Sequence, residues 1–225
     1  MNGIFITGTD TGVGKTHTGV LIARALQRHQ INVVPRKPVE SGCVRDGDEL
    51  IPQDAQALKN AAGYSGSLAS VCPFRFEPAV SPLRAAHLAH QALATTKVAQ
   101  ACLSGVDAEK DFLLVEGAGG FYTPLCEDGL NADLAQALQL PVVLVADDKL
   151  GCINQVLLNV QAIESRKLKL LAVVLNQCND NNSNPDMNNE DDLKDLVDCP
   201  IFSLPYLNKS NQNNIPDQLI GIFLH

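Results

Sequence analysis

The chain holds 225 residues, 45% hydrophobic and 19% charged, the proportions of a globular protein with room for one sizeable α/β core. Its 17 Lys and Arg stand against 25 Asp and Glu, and the formal charge of −8 argues against broad binding to nucleic acid or anionic membrane, each of which needs a positive surface. One local cationic pocket remains compatible with that balance. Seven cysteines, at 43, 72, 102, 126, 152, 178 and 199, are scattered without a C-x-x-C pair, the pattern of reduced thiols rather than of a disulfide framework or zinc site. The first residues carry no basic segment followed by a long apolar run, and no stretch reaches the ~20 apolar residues of a membrane span. The sequence therefore predicts a cytoplasmic protein.

The first predicted element is the apolar strand Ile4-Phe5-Ile6, which feeds Thr7-Gly8-Thr9-Asp10-Thr11-Gly12-Val13-Gly14-Lys15-Thr16-His17. Val20-Leu21-Ile22 and Ala25-Leu26 then recur at helical spacing, completing the strand–loop–helix context of a phosphate-binding P-loop. Glycines let backbone N–H groups turn inward around phosphate oxygens, and the helix that follows points its positive end at them. Lys15 would reach the outer phosphates and the Thr16 hydroxyl would ligate Mg²⁺. The spacing departs from the usual motif, because Thr9 stands where its first glycine belongs and Gly8 comes one residue early. A glycine-rich turn with a surface lysine is the plainer alternative, disfavoured because strand, loop and helix agree. Asp10 lies inside the loop, where a carboxylate beside triphosphate is repelled unless a cation intervenes, so it reads as a metal neighbour.

Further along, Ile31 to Arg36 predicts a strand ending at Lys37-Pro38, and Asp54 to Ala62 a helix. Leu83 to Leu103, rich in Ala, Leu and Gln, has helical character throughout. Asp111 to Val115 is a short buried strand running into Glu116-Gly117-Ala118-Gly119-Gly120, and Asn131 to Gln139 a helix opened by an Asn cap. Pro141 to Ala146 predicts a strand, Cys152 to Ser165 a helix and Leu170 to Leu175 another strand. Near-continuous apolar strands alternating with amphipathic helices imply an α/β fold: one P-loop domain over residues 1–225, with a parallel sheet covered by helices on both faces. Right-handed crossovers place every strand's C-terminal end on one edge, where ligands collect. The Asn-rich stretch from 179 to 189 is too polar to bury and reads as a surface loop.

Two carboxylates and a lysine fall near that edge. Glu116 follows the strand ending at Val115, where an acidic residue holds Mg²⁺ directly or through water. Asp54 begins a predicted helix, so helix capping and metal binding compete as its role. Lys37 ends the second strand in Lys37-Pro38-Val39-Glu40-Ser41-Gly42, and Pro38 makes the backbone leave in an extended direction. A second lysine near a γ-phosphate would neutralise charge that builds during phosphoryl transfer, although a solvated lysine is the bland alternative. Ser41 and Gly42 offer a hydroxyl and an N–H to a small polar substrate.

These motifs resemble those of the dethiobiotin synthetase family. The resemblance lies in Thr7 to Thr16, with the glycine one residue early, and in Lys37-Pro38-Val39-Glu40-Ser41-Gly42. It continues through Pro78-Ala79-Val80-Ser81-Pro82, Val115-Glu116-Gly117-Ala118-Gly119-Gly120 and Lys149-Leu150-Gly151-Cys152-Ile153-Asn154. The motifs occur in the family's order up to about residue 207. The resemblance implies ATP-dependent closure of a cyclic urea: diaminononanoate takes up CO₂ as a carbamate, ATP phosphorylates it, and the second amine expels phosphate. It implies Lys37 and Lys15 as catalytic residues, Thr16, Asp54 and Glu116 as holders of Mg²⁺, and nucleotide contacts from Gly12, Val13, Gly14, Lys15, Thr16 and His17. Glu116, Gly117, Ala118 and Gly119 join those contacts, as does Asp54. On the adenine side it implies Asn176 and Gln177, then Pro205, Tyr206 and Leu207. Thr11 and Ser41 would lie beside the substrate amines. Gly151, Cys152, Ile153 and Asn154 would open a helix that grips the substrate carboxylate from a neighbouring subunit, making the enzyme a homodimer.

Some positions depart from the family. Gln177 replaces an acidic residue that often follows the adenine-reading Asn, Gln212 stands where an acid contacts the ribose, and no tyrosine occurs near Met187. Elsewhere, His87 and His90 lie three apart on a predicted helix without a third metal ligand, and Cys152 has no flanking base to make it a nucleophile. The main rival is a partitioning-type ATPase switch acting through protein partners, which usually carries a lysine at the position of Asp10. A glutamine-dependent amidase is excluded by length, since its second domain has no room.

Overall fold

The six longest apolar strands are buried along nearly their whole length, so each must be covered on both faces. In the computed structural model, which describes residues 2–179, 186–206 and 217–223, they are β1 (Asn2–Gly8), β2 (Asn32–Arg36), β3 (Asp111–Gly120), β4 (Val142–Asp147), β5 (Leu170–Asn176) and β6 (Ile201–Leu204). All pair in parallel in the order β6-β5-β4-β1-β3-β2, which makes β1 central and β2 and β6 the edges. Pro35, which has no N–H to give a ladder, lies in edge strand β2.

Alternation along the strands divides the core into two. Ile4 and Ile6 of β1 join Val143, Val145 and Val174 under helices α1 (Lys15–Arg28) and α2 (Gln53–Ala61). Phe5, Val115, Leu144 and Leu175 face the other way, under α5 (Thr95–Leu103), α6 (Asn131–Leu138) and α7 (Cys152–Ser165). The remaining helices are α3 (Leu68–Val71), α4 (Pro82–Leu88), α8 (Asn189–Lys194) and α9 (Asp217–Phe223), the last packed beside α1. The expected parallel sheet with helices on both faces is thus present, and α7 has its predicted bounds.

Three expectations fail locally. The helical stretch from 83 to 103 is two helices: α4 ends at Leu88, and His90 adopts a left-handed φ of 53° that no α-helix accommodates. His87 and His90 therefore do not share a helix face; His87 bonds Glu127 instead, and the described residues hold no group of three metal-ligating side chains. The strand expected to stop at Val115 continues to Gly120, pairing with β1 again at Gly8 after a register shift. Asn131 does not cap α6. It is the first residue inside the helix, and its fully buried amide donates to the carbonyls of Ala118 and Gly120 and accepts from the Ala118 N–H.

A buried cation fixes the end of β2. Arg36 is 1% exposed, and its guanidinium donates to the carbonyls of Cys102, Ser104 and Pro35 while lying over the Tyr64 ring. The first two carbonyls belong to the C-terminal end of α5, where peptide dipoles favour a positive charge. All seven cysteines are free thiols.

Candidate active site

The loop from Gly8 to Gly14 leads from the C-terminal end of central β1 into α1. No side chain caps α1, so its first N–H groups face the loop that precedes it. Gly14 carries φ 94°, and a Cβ there would lie 2.1 Å from Asn176 Nδ2. That amide donates to the Val13 carbonyl at 3.1 Å, so the end of β5 is fastened directly to the P-loop. Only glycine satisfies both the left-handed backbone and this approach. Lys15 is buried, with its ammonium donating to the Asp10 carbonyl at 2.8 Å. Burial, and then the neighbouring Lys37 ammonium, lower its pKa to about 8. Asp10 itself accepts the Thr11 N–H and remains exposed.

Register brings the second half of the site to this loop. Ile6 of β1 stands opposite Glu116 of β3, and β2 ends beside Val115, so Lys37 emerges next to Glu116. The Glu116 side chain is wholly buried, and its Oε1 accepts both the Thr16 hydroxyl, at 2.8 Å, and the Lys37 ammonium. Lys37 also pairs with Asp54 Oδ2 at 3.2 Å and donates to the Gly117 carbonyl at 3.2 Å. Burial acting alone would lower its pKa, but the Glu116 and Asp54 carboxylates outweigh it and hold the ammonium well above its ordinary value. Lys37 is therefore charged and fixed, not a solvated side chain.

Asp54 lies in the first turn of α2 but does not cap it. The preceding Pro52 has no acceptor side chain, and the N–H groups of Asp54 and Ala55 are taken instead by the two carboxylate oxygens of Glu40, each at 3.0 Å. Glu40 belongs to a three-residue strand, Val39–Ser41, paired in parallel with Phe74–Phe76. Its role was not foreseen, because the partner strand and the helix it serves are both remote in sequence.

Two adjoining cavities meet at Gly12, Gly14 and His17. The larger, about 690 Å³, is lined by Thr11, Lys15, Thr16, Lys37, Ser41, Asp54, Glu116, Ala118 and Gly119, together with the Ala79–Pro82 segment. The Ser41 hydroxyl donates to the Val80 carbonyl, tying these two stretches of the cavity wall together. The smaller, about 500 Å³, is lined by Asn176, Gln177, Pro205 and Tyr206, and also by Arg24 and Cys178, which carried no signal in the sequence. Gln177 Oε1 accepts the Tyr206 N–H at 3.1 Å. Val13 is a core residue that meets the site through its carbonyl, Gly117 does so through the carbonyl bonded to Lys37, and Leu207 lies outside the described residues. Gly151, Cys152, Ile153 and Asn154 line neither cavity; Gly151 opens α7 with φ 93°, and Cys152 is buried with its thiol pKa raised by that burial.

A divalent cation fits the donor set. The Thr16 hydroxyl and Glu116 Oε1 are in contact, Asp54 faces them across Lys37, and the buried Glu116 Oε2 makes no hydrogen bond. One hydroxyl and one or two carboxylates, with phosphate oxygens completing the shell, is the provision Mg²⁺ takes in phosphoryl-transfer sites.

A family model described as an AAA domain matches residues 2–214. The ATP-dependent dethiobiotin synthetase of Ruthia magnifica subsp. Calyptogena magnifica is 36% identical over 215 residues, 96% of this chain and 93% of its own. The ATP-dependent dethiobiotin synthetase of Pseudoalteromonas translucida is 34% identical over 224 residues, 99% of this chain and 98% of its own. The chain belongs to the dethiobiotin synthetase family. Beyond this family, the solved structure of chloroplast FtsY from Physcomitrella patens matches with a TM-score of 0.53 at 16% identity, covering 100% of this chain but 65% of FtsY. The cell division ATPase MinD of Pyrococcus furiosus matches with a TM-score of 0.50 at 17% identity, covering 89% of this chain and 81% of MinD. Both likenesses show the fold alone, so the MinD match lends the partitioning switch no support, whereas the synthetase identity extends over nearly the whole chain.

Proposed function

We propose that the protein is an ATP-dependent dethiobiotin synthetase. It closes the cyclic urea of dethiobiotin from diaminononanoate, CO₂ and ATP, releasing ADP and phosphate. The observation that carries this reading is the meeting of Lys15, Lys37, Thr16, Glu116 and Asp54 around one cavity that also reaches Ser41 and the Ala79–Pro82 segment. Such a cavity has room for a triphosphate end and a small diamine side by side.

In this reading the triphosphate lies along the N-terminus of α1, with Lys15 turning from the Asp10 carbonyl to the outer phosphates. CO₂ adds to one amine, which loses a proton and becomes a carbamate. A carbamate oxygen attacks the γ-phosphorus, and the bond to ADP breaks. The second amine then attacks the carbamate carbon, phosphate leaves, and the amine proton is lost to solvent. A carbamate is a weak nucleophile, so the protein's contribution is position and charge. Lys37, held by Glu116 and Asp54, meets the charge that spreads onto the transferring oxygens. Thr16, Glu116 and Asp54 would hold Mg²⁺, which neutralises phosphate charge when bound. Thr11 and Ser41 are the proposed contacts to the amines, and Asn176, Gln177, Pro205, Tyr206 and Leu207 those around the adenine.

The substrate carboxylate is assigned to the helix start Gly151 to Asn154 of a second copy, in a homodimer. Leu150 is exposed and the segment lines neither cavity of its own chain, both of which support that assignment. No helix among the described residues is long and apolar enough to cross a membrane, and free thiols suit the cytoplasm proposed as its compartment. Incubation with diaminononanoate, bicarbonate and ATP, followed by mass spectrometry, tests the reading: dethiobiotin should form with one ADP per product. Phosphate release that needs a protein partner and no diamine would instead favour the switch.

A further inference from the structure

One four-residue segment holds Asp54 at two points. Lys37 meets its carboxylate at 3.2 Å, while Glu40 accepts its backbone N–H, and that of Ala55, at 3.0 Å each. Glu40 is 6% exposed and lies on the wall of the phosphate cavity. With Pro52 at the N-cap, α2 has no local acceptor for its first N–H groups, so Glu40 substitutes for the cap and adds a negative charge at the positive end of the helix. A carboxylate with both oxygens committed to backbone N–H groups is poorly placed to act as a base. It is well placed to fix where the first turn of α2, and with it the Asp54 side chain, stands relative to Lys37 and Glu116.

We infer that Glu40 is a positioning residue: it sets Asp54 for the divalent cation that accompanies the nucleotide, without touching cation or nucleotide itself. This rests on the proposed reading of the cavity as a Mg²⁺–nucleotide site. Glu40 reaches the cation only through Asp54. Changing Glu40 should alter the cation requirement and leave the cation-free affinity for nucleotide alone. Once Asp54 is an amide, Glu40 should have little left to position.

The test measures binding of a non-hydrolysable ATP analogue by calorimetry at a series of Mg²⁺ concentrations, with thermal stability recorded for each protein. Glu40→Gln keeps the length and one acceptor oxygen, and should raise the half-saturating Mg²⁺ concentration roughly five- to tenfold, the effect of one weakened charge-assisted hydrogen bond. Asp54→Asn should raise it as well, and the double variant should match Asp54→Asn alone, the non-additivity of residues acting as a unit. Glu40→Ala should exceed Glu40→Gln; if it fails to fold, the Gln variant in both backgrounds decides. A lower melting temperature with an unmoved Mg²⁺ dependence would reduce Glu40 to a helix cap, and additive effects would overturn its action through Asp54. A wild-type protein that binds the analogue with no dependence on Mg²⁺ would instead defeat the reading of the site itself.

Discussion

Lys37 illustrates how one buried charge would serve stability and the proposed chemistry together. Its ammonium is the counter-charge of the wholly buried Glu116, so Lys37→Gln leaves a carboxylate in the core without a cation. Breaking such a pair costs about 3 kcal/mol, which urea unfolding will register. If its charge counts mainly as the phosphoryl group transfers, kcat should fall about a hundredfold or more while the KM for ATP moves far less. A change confined to that KM would make Lys37 a binding residue only. Cys178 offers a chemical probe of the neighbouring cavity. Burial first, and then the nearby Asp147 carboxylate, raise its thiol pKa to about 11. A raised pKa means that the reactive thiolate is scarce at pH 8, roughly one molecule in a thousand, and grows about tenfold per pH unit up to that value. Iodoacetamide labelling should follow that slope. Cys199, likewise half-buried, lines a different cavity, so bound nucleotide should protect Cys178 and leave Cys199 unprotected.

The P-loop and the elements around it show what separates a permissive glycine from an obligatory one. Gly12, at φ 78°, has open space where a Cβ would go, so Gly12→Ala should cost only backbone strain, about 1–3 kcal/mol. Gly14→Ala adds a collision with Asn176 Nδ2 and should lower nucleotide affinity well beyond the Gly12 variant, with Asn176→Ala partly restoring it. Equal losses at the two positions would show that the amide moves aside freely. The P-loop, five of the six strands and α7 were legible in the sequence because each rests on local pattern: an unbroken apolar run, a helical period, a glycine series; the four-residue β6 was too short to leave one. Lys37 was legible because it directly follows a strand, and Glu116 because it directly follows the apolar run that ends at Val115, although β3 continues through it. The roles of Glu40 and Asn131 were not. Glu40 works across fourteen residues, from a strand too short to leave a periodic signal. Asn131 has the composition of a cap, but its amide is drawn to the Ala118 and Gly120 backbone by the path of β3. The break at His90 is likewise invisible to periodicity, since nothing in Ala-rich sequence on either side forces it.

At the scale of the molecule, three exposed apolar side chains lie at α7: Leu150, just before it, is 91% exposed, Leu158 within it 59%, and Tyr122, within reach of Ser165 at its end, 49%. Side chains of this kind suit the proposed contact between two copies. Sedimentation should therefore find a dimer, and Leu158→Glu should shift it to monomer with loss of dethiobiotin formation; a fully active monomer would sink the shared site. The strand order has a mechanical side as well. The cavity proposed for the phosphates is built from β1, β3 and the end of β2 towards one edge of the sheet, and the adjoining cavity from β5 and the segment after β6 towards the other. A nucleotide seated in both is a cross-tie between the two outermost strands, which share no ladder with each other. Openings that peel away either flank would have to release the ligand first, so their free energies rise with its binding. Amide exchange in β2 and in β6 should slow together when nucleotide binds, although some of those amides never touch it.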